Sequence, residues 1–148
     1  MMGFSAQALD SDRQQKITLA GDGCISKLNI GQTECPNGMV IQQGSLKIES
    51  DYGLIIHEDK QIASVKMTGS PVQMQQQMDD GSRMTVRARQ IDFDYQAETA
   101  FLQGDVRIEN NMGISTGEAM VFNLVTQEIK AVGEQNRQFR LEIDPNND

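Results

Sequence analysis

The chain has no tryptophan, two tyrosines, two cysteines, three prolines and a single histidine in 148 residues. Each shortage removes a class of function. With so few aromatic faces, a module that stacks sugars on exposed rings has little to work with. One histidine, His57 beside Glu58 and Asp59, supplies neither a two-histidine metal site nor a relay to a serine or cysteine nucleophile. Its polar surroundings at 57–60 read as a solvated turn. No glycine-rich phosphate loop occurs, and Asp92 with Asp94 lacks the further oxygen ligands that calcium takes. These two carboxylates read instead as the outer face of a strand through Ile91 and Phe93. The expectation is no catalysis, no cofactor and no metal.

Positive charge is also scarce. Lys and Arg number 13 against 21 Asp and Glu, a formal net charge of -8. Phosphate backbones and anionic bilayers repel such a chain at long range, so nucleic acid is not an expected partner. Arg83, Arg87, Arg89 and Arg107 fall on neighbouring predicted strands, where they fit a solvated face that discourages edge pairing or a docking patch for acidic groups. No apolar run approaches the roughly 18 to 20 residues of a helical membrane span. Two cysteines alone do not make a structural zinc site, which takes four ligands. Folding the chain back near Asn29 to Gly31 would set Cys24 opposite Cys35, with a single disulfide or two free thiols as the alternatives.

What the chain does have is alternation. From Ile17 to Asp144 short apolar-polar runs are separated by Gly, Asn, Asp and Gln clusters, and hardly any segment shows a 3.6-residue period. The pattern predicts strands throughout. Leu46, Ile48, Leu54 and Ile56 all have even numbers and are expected on one face of a bent strand. Pro71 interrupts the run from Val65 and Met67 to Val72 and Met74, so a bend is expected there. Met84, Val86 and Ala88 are even whereas Ile91, Phe93 and Tyr95 are odd, which places a bulge near Arg89 and Gln90. Leu102, Val106 and Ile108 flank Gly104 at an expected corner, and Phe139, Leu141 and Ile143 form the last strand.

There is also a repeat. Ile91 maps to Met120, Phe93 to Phe122 and Gly104 to Gly133, each 29 positions later. A repeat of this length with a two-residue period makes each unit a hairpin-like pair of strands that must stack on its neighbours to bury its apolar face. The fold class is all-β. One domain over 12–144 is expected. Residues 1–11 read as a tail ending an export signal, with Ala6-Gln7-Ala8 in the form a signal peptidase reads, and 145–148 as a disordered tail.

The segments "DRQQKITL" (12–19), "GMVIQQGSLKIESD" (38–51), "VKMTGSPVQMQQQMDDGSRMTVRARQIDFDY" (65–95) and "LQGDVRIENNMGISTGEAMVFN" (102–123) together resemble the OstA-like family of periplasmic lipopolysaccharide-transport proteins. The resemblance covers about Asp12 to Ile143. It departs at Cys35-Pro36-Asn37-Gly38, where the family has an aromatic-x-glycine, and at Met39, where it has valine. What it implies is a semi-open twisted β-jellyroll built from stacked antiparallel strand repeats, located in the periplasm, that shields the acyl chains of lipopolysaccharide. It further implies head-to-tail self-association, an inner-membrane-anchored jellyroll partner at the N-terminal edge and the periplasmic domain of the outer-membrane translocon at the C-terminal edge. The residues that would line an apolar groove are Ile41, Ile48, Leu54, Ile56, Ile91, Phe93, Leu102, Val106, Ile108, Met120 and Phe122, and the partner edges would be Ile17 and Leu19 at one end and Phe139, Leu141 and Ile143 at the other. From periodicity alone the same apolar set fits a closed core, and the protein a non-catalytic β-stack scaffold of the cell envelope.

Overall fold

Period-two alternation becomes twelve strands in the computed structural model, which describes residues 15–59, 61–132, 138–143 and 145. The expected signal remnant and most of the C-terminal tail lie outside the described residues, as does Gly133, the third landmark of the repeat. The strands are β1 (Ile17–Ala20), β2 (Ile25–Lys27), β3 (Gln32–Cys35), β4 (Met39–Gln43), β5 (Leu46–Ser50), β6 (Tyr52–Glu58), β7 (Gln61–Gln77), β8 (Arg83–Asp94), β9 (Thr99–Asn110), β10 (Gly113–Asn123), β11 (Ile129–Ala131) and β12 (Phe139–Glu142). All pairings are antiparallel. The described residues form no helix.

Strands β7 to β10 are long because each crosses from one layer to another. The first half of β7 pairs with β6 and with the second half of β8, whereas the second half of β7 pairs with β5 and with the first half of β8. One layer thus runs β2-β3-β6-β7-β8-β9-β10-β11 and the other β1-β4-β5-β7-β8-β9-β10-β12. Their apolar faces meet in a single core cluster, which makes the architecture a jellyroll whose sheets are continuous along one corner.

The corner has a local cause in each strand. In β7 it falls between Thr68 and Val72, around a cis Ser70–Pro71 peptide. In β8 the register shifts between Arg87 and Gln90, and in β10 between Gly117 and Ala119. Across both shifts β9 carries one residue more than its neighbour, so β8 and β10 change which parity faces inward while the core side stays apolar. Strand β9 keeps its parity and turns instead through Gly104 and Asp105, at φ of 87° and 46°. A Cβ on Gly104 would sit 2.8 Å from that of Arg89, so both the backbone angle and the space demand glycine. Arg89 and Asp105 form an ion pair over this corner, exposed enough that it adds little stability.

The expected continuous face through Leu46, Ile48, Leu54 and Ile56 is not found. The chain bends at Asp51, whose amide donates to the Thr68 carbonyl at 2.9 Å and whose carboxylate accepts from the Ser70 amide at 3.1 Å. That corner residue shifts the parity. Leu46 and Ile48 point into the core, but in β6 it is Gly53 and Ile55 that do so, and Leu54 and Ile56 lie half-buried on the outer face.

Candidate functional site

The inner faces can be followed residue by residue across the register. In the first layer one row runs Ser26, Thr33, Ile55, Val65, Phe93, Ala100, Phe122, Ile129. In the second, a row runs Leu19, Ile41, Ile48, Met74, Val86, Ile108, Ser115, Leu141. Of the expected groove residues, Ile41, Ile48, Ile91, Leu102, Val106, Ile108, Met120 and Phe122 are packed together with 5% or less of their surface exposed. Phe93 is half-buried at the edge of this cluster and meets Tyr95 edge to face, with ring centroids 5.7 Å apart. Six methionines, Met39, Met67, Met74, Met78, Met84 and Met120, are buried in the same cluster.

The open space lies at the N-terminal end. A cavity of about 720 Å³ separates the two inner faces there, lined on one side by Ile17, Leu19 and Gln43 and on the other by Ser26, Thr33, Ile55, His57, Gln61, Ile62 and Tyr95. Its volume is that of a small-molecule pocket, and its walls are mostly apolar with a few polar groups. The Tyr95 hydroxyl donates to Gln43 Oε1 at 3.3 Å, which joins the two layers across the seam opposite the corner. On one wall, Thr33 Oγ1 lies 2.9 Å from Ser26 Oγ and 3.2 Å from His57 Nε2.

His57 is therefore not a solvated turn residue. It belongs to β6, where it follows Gly53 and Ile55 on the inward-facing odd positions, and the bulge beside it, with Ala63 as the extra residue on β7, sets Ile62 opposite it. The signal for its inward position is the alternation through Gly53 and Ile55, which the corner at Asp51 starts on odd positions. Ile17 and Leu19, expected at a partner edge, lie on an edge strand and also line the cavity. Ile55, Ile62 and Tyr95 complete it without having been singled out as lining residues.

A second depression, of about 640 Å³, opens on the surface beside Asp22, Glu49, Asp51 and Pro71. Its carboxylates suit neither an apolar nor an anionic guest. Beside the cavity, Cys24 and Cys35 are joined by a disulfide that extends the β2–β3 ladder by one pair, across the turn at 28–31. On the outer face the Tyr52 hydroxyl donates to Glu34 at 2.7 Å, and that bond and the nearby negative charge raise the pKa of the phenol.

Each end of the assembly exposes strand edges. Among the described residues, strands β1 and β2 are bordered on one side only, as are β11 and β12. Phe139, Leu141 and Ile143 are 44%, 51% and 58% exposed, an apolar patch on and just past β12. On the outer face Arg87 stands directly opposite Arg107 in the ladder, and Arg107 reaches Glu109 at 3.8 Å.

Comparison with known proteins adds three findings. A family model described as LptA/(LptD N-terminal domain) LPS transport protein matches residues 31–128. The chain is 24% identical over 132 residues to the lipopolysaccharide export system protein LptA of Haemophilus influenzae, covering 87% of this chain and 77% of that protein. It superposes with a TM-score of 0.81 on the crystal structure of LptH, the LptA-homologous periplasmic component of the lipopolysaccharide transport device of Pseudomonas aeruginosa. That match covers 91% of this chain and 99% of LptH at 19% identity, and at such identity it is a likeness of fold.

Proposed function

The chain belongs to the LptA/(LptD N-terminal domain) LPS transport family, and from that premise we propose that it is a periplasmic carrier of lipopolysaccharide which takes acyl chains between its two sheets. The family is one of transport proteins, and carriage calls for no catalysis. The observation that carries the reading is the cavity of about 720 Å³ between the two inner faces, walled by Ile17, Leu19, Ile55 and Ile62 with polar groups among them and opening at a strand edge.

The physics of such a carrier is exchange. Burying one CH₂ is worth about 0.8 kcal/mol, so a single acyl chain of about a dozen carbons gains on the order of 10 kcal/mol relative to water. Several chains would exceed the ceiling on non-covalent affinity, and a lipid bound from water could not leave. Transfer from one apolar groove to the next replaces like with like at near-zero net free energy. The groove then shields the tails, and direction comes from an energy source elsewhere.

Chains longer than the cavity reach the residues of the filled middle, Ile91, Leu102, Val106, Ile108, Met120 and Phe122. To host them there, the sheets must part along the seam joined by Tyr95 and Gln43. Methionine is unbranched and has three rotatable bonds, so a wall rich in it can repack around a guest. The outward Leu54 and Ile56 have no part in this path.

The ends supply the rest of the proposal. Unlike edges joined head to tail give a contact that extends rather than closes. Strand β1, with Ile17 and Leu19, meets an inner-membrane-anchored jellyroll. Strand β12, with Phe139, Leu141 and Ile143, meets the next copy or the periplasmic domain of the outer-membrane translocon. Deleting 139–143 should abolish self-assembly measured by light scattering while lipid capture persists, and unchanged oligomers would defeat the edge assignment. For the carrier itself, a fluorescent apolar probe should enter the protein and be displaced by lipopolysaccharide. No uptake of the probe would favour a scaffold of the cell envelope instead.

A further inference from the structure

We propose that Ser26, Thr33 and His57 form a polar ledge in the cavity wall that selects acyl chains bearing a hydroxyl or carbonyl oxygen over plain hydrocarbon. This rests on the reading that the cavity takes acyl chains. The ledge stands out against its own row: beyond Thr33 the inner face continues as Ile55, Val65, Phe93, Ala100 and Phe122, all apolar. Across the cavity Ile17 and Leu19 are apolar, and the polar groups on that side are the glutamines Gln15 and Gln43, the latter accepting from Tyr95. Thr33 is 7% exposed, and a hydroxyl buried in such a wall is costly unless it is hydrogen-bonded.

The three groups bond to one another in a chain, from Ser26 at the exposed rim through Thr33 to His57. The chain leaves hydrogen-bonding capacity over. Two hydroxyl protons and at least one ring proton serve two internal bonds, so at least one donor and several lone pairs remain for a guest. A passing CH₂ segment uses none of them. An oxygen on the acyl chain reaches a donor or acceptor that otherwise faces hydrocarbon, and one such bond is worth about 2- to 12-fold in affinity. The ledge therefore also sets depth: a chain settles where its oxygen meets Thr33 and His57.

The test is a binding comparison of palmitate with a hydroxypalmitate, by displacement of a fluorescent fatty acid from the full chain. The expected result is preference for the hydroxypalmitate by about 2- to 12-fold, with the ratio falling toward one in Thr33→Val. A fold-maintaining role for these bonds would change melting temperature and leave the ratio alone. If Thr33→Val does not fold, His57→Leu should remove the preference and His57→Gln, which keeps a hydrogen-bonding group, should restore part of it. Equal binding of the two fatty acids by the unaltered protein, or a preference that survives these substitutions, would overturn the ledge while leaving the carrier intact. Binding of neither would overturn the acyl-chain reading and the ledge with it.

Discussion

Two stretches of the same sandwich behave differently. From β7 to β10 the inner faces close on each other through Met67, Val86, Leu102, Ile108, Met120 and Phe122, whereas between β1 and β6 they stand apart around a cavity of about 720 Å³. Strand length accounts for the contrast. In the closed part each strand runs through the corner and contributes to both layers, so two halves of one chain segment hold the spacing. At the N-terminal end the layers are made of separate short strands, β1, β4 and β5 on one side and β2, β3 and β6 on the other. Several of their side chains there are small or polar, as with Ser26, Thr33, Gln43 and His57, and the apolar ones do not fill the gap. The lesson is that one alternating pattern builds a scaffold where strands are shared between layers and a receptacle where they are not.

The contrast can be broken most forcefully in the closed part. Phe122→Ala should cost about 3 to 5 kcal/mol of stability in denaturant unfolding, because losing a 1%-exposed ring would leave a void in the packed core. A cost below about 1 kcal/mol would show that the middle is loosely packed and no scaffold.

At the open end, stability should rest on the disulfide. Replacing Cys24 and Cys35 together by serine removes a cross-link over a separation of 11 residues and should cost about 3 kcal/mol. The loss should appear locally as faster amide exchange in β2 and β3, with β8 to β10 unchanged. Uniform acceleration would contradict the independence of the two regions.

Smaller effects are expected on the outside. Leu54→Ala and Ile56→Ala should each cost less than about 1 kcal/mol, since both lie half-buried on the outer face. Ile55→Ala, one position between them and 1% exposed, should cost about 2 to 5 kcal/mol. Reversal of that order would return β6 to the opposite parity.

The smallest effect concerns acid. Hydrogen bonds from the Ser82 hydroxyl, the Ser82 amide and the Asn111 side chain hold the pKa of Asp80 below its ordinary value. A depressed folded-state pKa means that the stabilisation is complete above the unfolded carboxylate range, near pH 4, and fades as pH falls through the folded value. Melting temperature measured from pH 7 downward should therefore fall slightly more steeply in the unaltered protein than in Asp80→Asn. Parallel curves would show that the turn at 79–82 gains nothing from the charge.

Much of this architecture is legible in the sequence. The parity change at Arg89 and Gln90 marks the corner of β8 and Pro71 marks the bend in β7, because each breaks a clean alternation, whereas Gly104 marks the corner of β9 as a glycine within an unbroken one. Ile91 and Met120, and Phe93 and Phe122, two pairs of the 29-residue repeat, do take matching inward places on β8 and β10. The corner at Asp51 is not legible for a physical reason. Leu54, Ile55 and Ile56 are three apolar residues in a row, so either parity satisfies a buried face, and only the hydrogen bonds of Asp51 to Thr68 and Ser70 decide. His57 escapes for a similar reason: it opens the polar run 57–60, which looks like a turn, while the alternation that the corner at Asp51 starts on Gly53 and Ile55 carries its ring inward, opposite Ile62. The cavity itself has no sequence signature, since it is defined by what the facing layer fails to fill.

The most direct test of the central claim is to place a photo-crosslinking residue at Ile62 on the cavity wall and, separately, at Ile56 on the outer face, and to irradiate living cells. Capture of lipopolysaccharide at Ile62 and not at Ile56 is the predicted result. Capture of protein alone at Ile62, or equal lipid capture at both positions, would contradict a carrier that holds acyl chains between its sheets.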